Sequence, residues 1–583
     1  VISIEGIVSN ISETIDKFQG KVIRRFNLNK LDSNKLDSNK LDSNKLDSNN
    51  IVRKVIFIPM CTLFILVIAM GIISPTTFYN IENAISTFQY EWFGWLYALM
   101  AMVNIGILIW LSFSHHGDII LGGKDAKPLL TRWSWFAISL CGGIGTGIVF
   151  WGIAEPIFHL NNTIPGLGQD PGSAEAALTA LSTSMLHWGI PSYAHYCVFG
   201  VAVGFAIYNM KLPYRISSTL YPLFGKKSLG TIGDIVDNVC LFAIAVSVSA
   251  VLAIATLNFG AGLFNVFGIE PTNTVRGIVL VVIVSTFILS SYTGLQRGIR
   301  RLSEVNAKVF ISLLLFIFIV GQTKFSMFFT VEALGESIDQ FFPRMTFLSA
   351  VDGNKWPMWW TVIYWVWMIV YGPMVGLFLG KIAKGRSIRE FIIMNLLVPS
   401  TFAILWFGIF GSNSLYLEMQ TGGEIFNVIQ NQGLEASVFT FLKNFPLPKV
   451  TSIGFMITLF LSVVTLCDSM TSTVASLSIN NTKGVEVEPP NNVKIFWGLV
   501  MSSVAFLSIV ASTSSTDGAV DIMQSTKLLP MTAALPVLFV YVALAVSMIK
   551  MFTMREKYDR AYYPESCIIE EDLISEIKEE KSA

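Results

Sequence analysis

Along the chain, charged and polar positions gather in short clusters, and stretches of about twenty apolar residues run between them. Such stretches lie near 55–74, 93–113, 133–153, 185–207, 238–266, 275–294, 305–323, 356–381, 391–412, 451–477, 493–511 and 529–551. About 20 residues of α-helix span roughly 30 Å of hydrocarbon, so the pattern predicts twelve transmembrane helices. Several stretches exceed that minimum, and a long span tilts rather than crossing twice. Composition agrees, with 53% of 583 residues hydrophobic and only 14% charged, and a mean hydropathy of +0.59. The expected fold is all-α and polytopic.

Basic residues alternate between the connections. One set holds Lys124, Lys127 and Arg132; Lys211, Arg215, Lys226 and Lys227; Arg297, Arg300, Arg301 and Lys308; and Lys384, Arg386 and Arg389, whereas 75–92 and 155–184 hold none. Short loops that keep Lys and Arg stay cytoplasmic, so both termini are expected inside; the expected location is the plasma membrane of a prokaryotic cell. Arg53 and Lys54 before the first span and Arg555, Lys557 and Arg560 after the last agree. Three parts follow: a cytoplasmic tail over 1–52, the membrane domain over 53–551 and a C-terminal tail over 552–583. The first tail carries the polar repeat KLDSNKLDSNKLDSN, which cannot bury enough surface to offset its ordering entropy and is expected to be disordered. The second is acidic, with Ile568, Leu573 and Ile577 at helical spacing. The six cysteines are scattered without a CxxC pair, which predicts neither a disulfide framework nor a thiolate metal site.

Candidate chemistry concentrates in four spans. In HWGIPSYAHY, His187 and His195 stand eight residues apart, about 12 Å along a helix, too far to share a metal ion unaided. Packing or a backbone hydrogen bond is the ordinary reading of each, and a proton relay the alternative. Trp188, Tyr193 and Tyr196 occupy one arc of a continuous helix, with Pro191 as a candidate kink. In WPMWWTVIYWVWMIVYGPMVG, Trp360, Tyr364, Trp367 and Tyr371 form a second stripe, running about 16 Å toward the bilayer middle. Helix packing or an interfacial belt explains most such stripes. Depth favours a third reading, because ring faces hold a cation that has no hydrogen to donate. The segment CGGIGTG, Cys141 to Gly147, lacks the lysine of a phosphate loop; it is read either as small residues for helix packing or as an unwound stretch lining a midplane site. Thr465, Asp468, Ser469, Thr471 and Ser472 are unusually polar for a span, although Asp468 also fits a solvated helix end.

These motifs together resemble the betaine/carnitine/choline transporters over about Arg53 to Arg560. The resemblance rests on the glycine stretch followed by FWGIAEP, the HWG aromatic cluster, WTVIYWVW and the basic loop KIAKGRSIREF. It implies two five-helix inverted repeats of the LeuT-like kind after two extra helices, substrate at their interface, a homotrimer in membrane lipid, and a surface helix between the repeats, for which Thr330 to Met345 is the candidate. The implied substrate site comprises Trp188, Tyr193, Tyr196, Trp360, Trp367, Met368 and Tyr371, with Gly143 and Gly145. Met368 stands where the family usually has a second tryptophan, and Tyr193 where tryptophan is common. The implied ion site comprises Gly142, Ile144, Thr465 and Ser469, with sodium as the candidate coupling ion; a Thr-Ser pair of sodium-coupled members reads Thr465, Leu466 here.

The function expected is secondary transport of a small quaternary-ammonium compound such as glycine betaine, carnitine or choline by alternating access, without cofactor or nucleic acid. Sodium-independent exchange of one such compound for another is the alternative. An amino-acid transporter of the same architecture is disfavoured by the aromatic stripe. A membrane enzyme using His187, His195 and Asp468 lacks a nucleophile and base pair.

Overall fold

The computed structural model describes residues 52–144, 147–292, 298–480, 489–515 and 528–569. The repeat-bearing tail up to residue 51 and the acidic segment from residue 570 lie outside the described residues. All regular elements among the described residues are helices, joined by two isolated bridges, Val52 to Ile479 and Ile120 to Ser387. In chain order the elements that matter are α1 (Lys54–Ile73), α2 (Pro75–Phe113), α3 (Arg132–Ile144), α4 (Gly147–Asn161), α5 (Ala174–His187), α6 (Ile190–Tyr208), α7 (Thr231–Phe267), α8 (Asn273–Tyr292) and α9 (Gly298–Val320). They continue with α10 (Thr323–Asp339), α11 (Trp356–Trp359), α12 (Thr361–Ile382), α13 (Ile388–Thr421), α14 (Pro448–Leu477), α15 (Asn491–Ser515) and α16 (Ala534–Thr553).

Among the described residues, 11 helical runs are long and apolar enough to cross a membrane. The twelfth expected span is carried by α3 and α4, which flank residues 145 and 146, outside the described residues. Two spans are interrupted. α5 and α6 share one apolar run, but the backbone leaves helical geometry at Gly189 (φ −93°, ψ −146°). The expected kink at Pro191 therefore falls earlier: Pro191 occupies the first turn of α6, where its missing N–H costs nothing. α11 and α12 separate in the same way at Trp360 (φ −128°, ψ −90°).

Among the described residues the most extensive helix seam joins α6 to α12, and glycines make its close approach. Gly376 and Gly380 on α12 stand one turn apart. A Cβ built on Gly376 would lie 2.6 Å from Phe199 Cβ and 3.0 Å from the Gly200 nitrogen; one on Gly380 would lie 2.9 Å from the Gly204 nitrogen. Lipid supplies no hydrophobic drive between helices, so such close backbone approach is what holds them. The seam sets the aromatic face of α6 against that of α12.

The chain enters and leaves on one face. Val52 bridges Ile479, Arg53 pairs with Asp234 and with Asp237 (2.7 Å), and after the last span Asp559 accepts from Asn209 Nδ2 (3.0 Å). The expected surface helix starts earlier than Thr330. It runs from Thr323 as α10, stops at Gln340, and resumes over Phe341–Met345. It buries Phe329 and Ala333 and leaves Phe328 and Val331 exposed.

Candidate functional site

A cavity of about 800 Å³, counting the space open to solvent, lies where α4, α6, α7 and α12 converge. Trp188, Tyr193, Tyr196, Trp367, Met368 and Tyr371 all line it, joined by Trp151 and Met374. Six of its lining side chains are aromatic, and none of the described lining residues is charged. Such a wall excludes a ligand that must be met by an ion pair and suits one whose positive charge is spread over methyl groups.

Each wall residue has a local cause. The helix break releases Trp188 from the α-helical register, so its ring turns toward the start of α4; a Cβ on Gly147 would lie 2.5 Å from Trp188 Cη2. Gly147 closes the glycine stretch and is the cradle for that indole. Tyr193 and Tyr196, three apart on α6, meet edge to face at 6.2 Å. The Tyr196 hydroxyl lies 2.6 Å from Met368 Sδ, and the half-buried Tyr371 donates to the Ser247 carbonyl (3.1 Å).

Trp360 stands apart from this group. Because the helix is interrupted there, it leaves the α12 stripe and packs on Phe158 (4.7 Å), His159 (4.3 Å) and Trp151 (6.2 Å), outside the cavity lining. Gly142, Gly143 and Ile144 fall in the last turn of α3, and Gly145 lies outside the described residues, as does any unwinding at 145–146. Thr465 and Ser469 are buried on α14, with hydroxyls donating to the carbonyls of Leu461 (2.6 Å) and Thr465 (3.0 Å). The neighbour of Thr465, Leu466, reaches the cavity wall. Asp468 is 1% exposed and accepts from Ser290 (2.6 Å), which rules out a solvated helix end.

Behind Trp188 lies a polar group that sequence reasoning passed over. Glu155 on α4 is fully buried. Its Oε1 is 2.7 Å from His187 Nδ1 and 3.5 Å from His159 Nε2. Its Oε2 accepts the Trp188 indole N–H (2.8 Å) and the Tyr364 hydroxyl. His187 Nε2 faces the Thr361 hydroxyl at 3.1 Å. One ligand atom from each of Glu155, His159 and His187 can be chosen so that all lie within 4.8 Å of one another, a spacing that also suits a metal ion. His195 belongs elsewhere, with Nδ1 2.8 Å from Asn104. The available signal was a Glu and a His four residues apart, on one face of an apolar helix.

A family model described as BCCT, betaine/carnitine/choline family transporter, matches residues 55–557. The chain belongs to that family. It is 33% identical over 480 residues to a glycine betaine transporter of Bacillus subtilis, covering 82% of this chain and 90% of the relative. A glycine betaine transporter of Acinetobacter baylyi is 30% identical, over 85% of this chain and 72% of its own length. An osmo-independent choline transporter of the same organism is 32% identical, over 73% of this chain and 80% of its own. The chain is accordingly a membrane transporter and not an enzyme.

Proposed function

We propose that the cavity between α6 and α12 is the substrate site of this carrier and that it holds the trimethylammonium head of a compound such as glycine betaine or choline. The observation that carries the reading is a wall of six aromatic rings, five of them buried, with no described charged residue in it. Ring quadrupoles attract such a head by about 0.5–2 kcal/mol per good contact without asking it for a hydrogen bond. A primary ammonium would leave its N–H groups unmatched there. The printed names of the relatives, for glycine betaine and for choline, point the same way.

In this reading two five-helix repeats, α3 to α9 and α11 to α16, rock about the site in a homotrimer embedded in lipid. The basic face, which carries Arg53 and Asp559, is cytoplasmic. Exposed Ile278, Val281 and Leu289 on α8 suit contact with acyl chains. Sodium is the candidate coupling ion, held by Gly142, Ile144, Thr465 and Ser469. Leu466 offers hydrocarbon where a second hydroxyl would ligate, which favours weak sodium dependence and exchange of one onium compound for another. Uptake of radiolabelled glycine betaine and choline into proteoliposomes, with and without a sodium gradient and with and without internal substrate, tests the whole reading. Uptake that appears with internal substrate alone supports exchange, steep sodium dependence without counterflow restores symport, and absence of uptake of either compound removes the assignment.

A further inference from the structure

Glu155 and His159 stand four residues apart on α4, so one helix face presents both, and the end of α5 brings His187 against them. Three donor atoms converge there. Glu155 Oε1 lies 2.7 Å from His187 Nδ1 and 3.5 Å from His159 Nε2. All three residues are buried, and their donor atoms can be chosen within 4.8 Å of one another. Ligands held at about 2.0–2.1 Å by a tetrahedral ion stand about 3.3 Å apart, so shifts of under about 1 Å bring this trio to coordinating distance. Two imidazoles and a carboxylate are a donor set that zinc takes where a fourth position is left to water.

The surrounding groups orient these donors. A ligating imidazole gives its other N–H to a fixed acceptor, and His187 Nε2 faces the Thr361 hydroxyl at 3.1 Å. Glu155 keeps Oε1 for the trio because Oε2 accepts the Trp188 indole N–H (2.8 Å) and the Tyr364 hydroxyl. The His187 ring stacks on Tyr364 at 4.6 Å, and Trp360 and Trp356 flank the His159 ring at 4.3 and 5.4 Å. No lysine or arginine among the described residues pairs with Glu155, and a buried carboxylate calls for a cation. There is also a way in. A vestibule of about 840 Å³, counting the space open to solvent, is lined by Thr361 and Trp356 together with Thr183, Glu336 and Arg344, among others. Thr361 touches His187 and Trp356 touches His159, so each imidazole sits one side chain behind that opening. On the other side, Trp188 stands between the trio and the aromatic cavity.

We propose that Glu155, His159 and His187 form a binding site for a divalent transition-metal ion of the zinc class, entered from the vestibule, and that a bound ion opposes onium binding in the cavity. The second half of the inference rests on the substrate site proposed above. The ion takes Glu155 Oε1, His159 Nε2 and His187 Nδ1 in their unprotonated forms and displaces any proton held between them. With neutral imidazoles and an ionised carboxylate, the cluster goes from one negative charge to one positive. Trp188 rests its indole N–H on the same carboxylate. Its ring then faces the cavity with a cation behind it in place of an anion, and it attracts the onium head less. Linkage is reciprocal, so a bound onium weakens metal binding by the same factor. A cluster that serves packing alone would hold its protons and take up no metal.

The test is titration of the purified, untagged full chain with Co²⁺ and then Zn²⁺, followed by visible absorption and by metal content after gel filtration. The expected result is one ion per chain, with the intense bands of a four-coordinate Co²⁺ site that Zn²⁺ abolishes. His159→Ala is expected to weaken binding by more than about a hundredfold, and Thr361→Val, which removes the acceptor for His187, by about 10–100-fold. In calorimetry, saturating Zn²⁺ is expected to raise the choline Kd of the unaltered protein at least about tenfold and to leave that of His159→Ala unchanged. Absence of stoichiometric metal binding by the unaltered protein overturns the proposal, whatever the variants do. Binding that is kept in His159→Ala and lost in His115→Ala also overturns it, because the ion would then sit at the His115 and His116 pair, whose rings are 4.0 Å apart. A choline Kd unmoved by saturating Zn²⁺ overturns the coupling. Failure of choline to bind with or without metal removes the substrate site and the coupling with it, while the cobalt titration still decides the metal site.

Discussion

Tyr196 on α6 and Met368 on α12 meet inside the cavity, with the phenol oxygen 2.6 Å from the thioether sulfur. The pair bridges the α6/α12 seam. Sulfur is a weak acceptor, and here it fixes the orientation of the Tyr196 hydroxyl in the wall. Replacing Met368 by Leu should orphan that hydroxyl and weaken onium binding by about fivefold, on the scale of a net hydrogen bond near 1 kcal/mol. Met368→Trp should tighten choline binding, because a new ring face contributes about 0.5–2 kcal/mol. Titration of choline binding by tryptophan fluorescence separates the two.

Trp188→Leu removes a ring from the wall and a donor from Glu155. Its half-saturation concentration for labelled choline should rise at least about tenfold, with the protein still folded and in the membrane. Trp188→Phe keeps a ring face and loses the N–H, so it should fall between the parent and Trp188→Leu. Equal uptake by all three would take Trp188 out of the site.

The α6/α12 seam has no room for a methyl group. At Gly376 a Cβ would lie 2.6 Å from Phe199 Cβ and 3.0 Å from a backbone nitrogen, so Gly376→Ala forces the helices apart. Overpacking of this kind costs about 1–3 kcal/mol. A fall in the detergent melting temperature of several degrees is expected. Gly225 has nothing within 4 Å of a built Cβ but sits at φ +56°, so its Ala variant should lose stability through backbone strain alone.

Glu435, in the connection between α13 and α14, has its carboxyl pushed up to about 7 by burial, partly offset by a backbone hydrogen bond and by Arg276. The unfolded chain releases that proton near 4.5, so between the two values the folded state binds more protons than the unfolded one. Stability should therefore fall as pH rises from about 4.5 to 7 and level off above. Melting temperatures over that range, flattened in Glu435→Gln, check the sign.

Much of this was legible in the sequence for physical reasons. The length of apolar runs fixes span number, and alternating Lys and Arg place the first and last spans on one face, where Val52 meets Ile479 and Asn209 meets Asp559. The aromatic residues of the wall were legible as types. Their geometry was not, because a helical wheel assumes continuity, and the breaks at Gly189 and Trp360 free Trp188 and remove Trp360 from the stripe. The glycines at 376 and 380 carry the small-residue signal of a close seam. Glu155 was hidden because, beyond His159 one turn away on α4, its partners His187 and Tyr364 come from α5 and α12, and only the fold brings them together.

The central claim is that an uncharged aromatic cavity selects a methylated ammonium. Glycine betaine and glycine share a carboxylate and a methylene and differ only in the three methyl groups on nitrogen. Calorimetric binding of both to the purified full chain isolates that difference. The account predicts saturable binding of glycine betaine, glycine at least about a hundredfold weaker, and most of the gap lost in Trp188→Leu. Equal affinity for the two, or a preference for glycine, would contradict it.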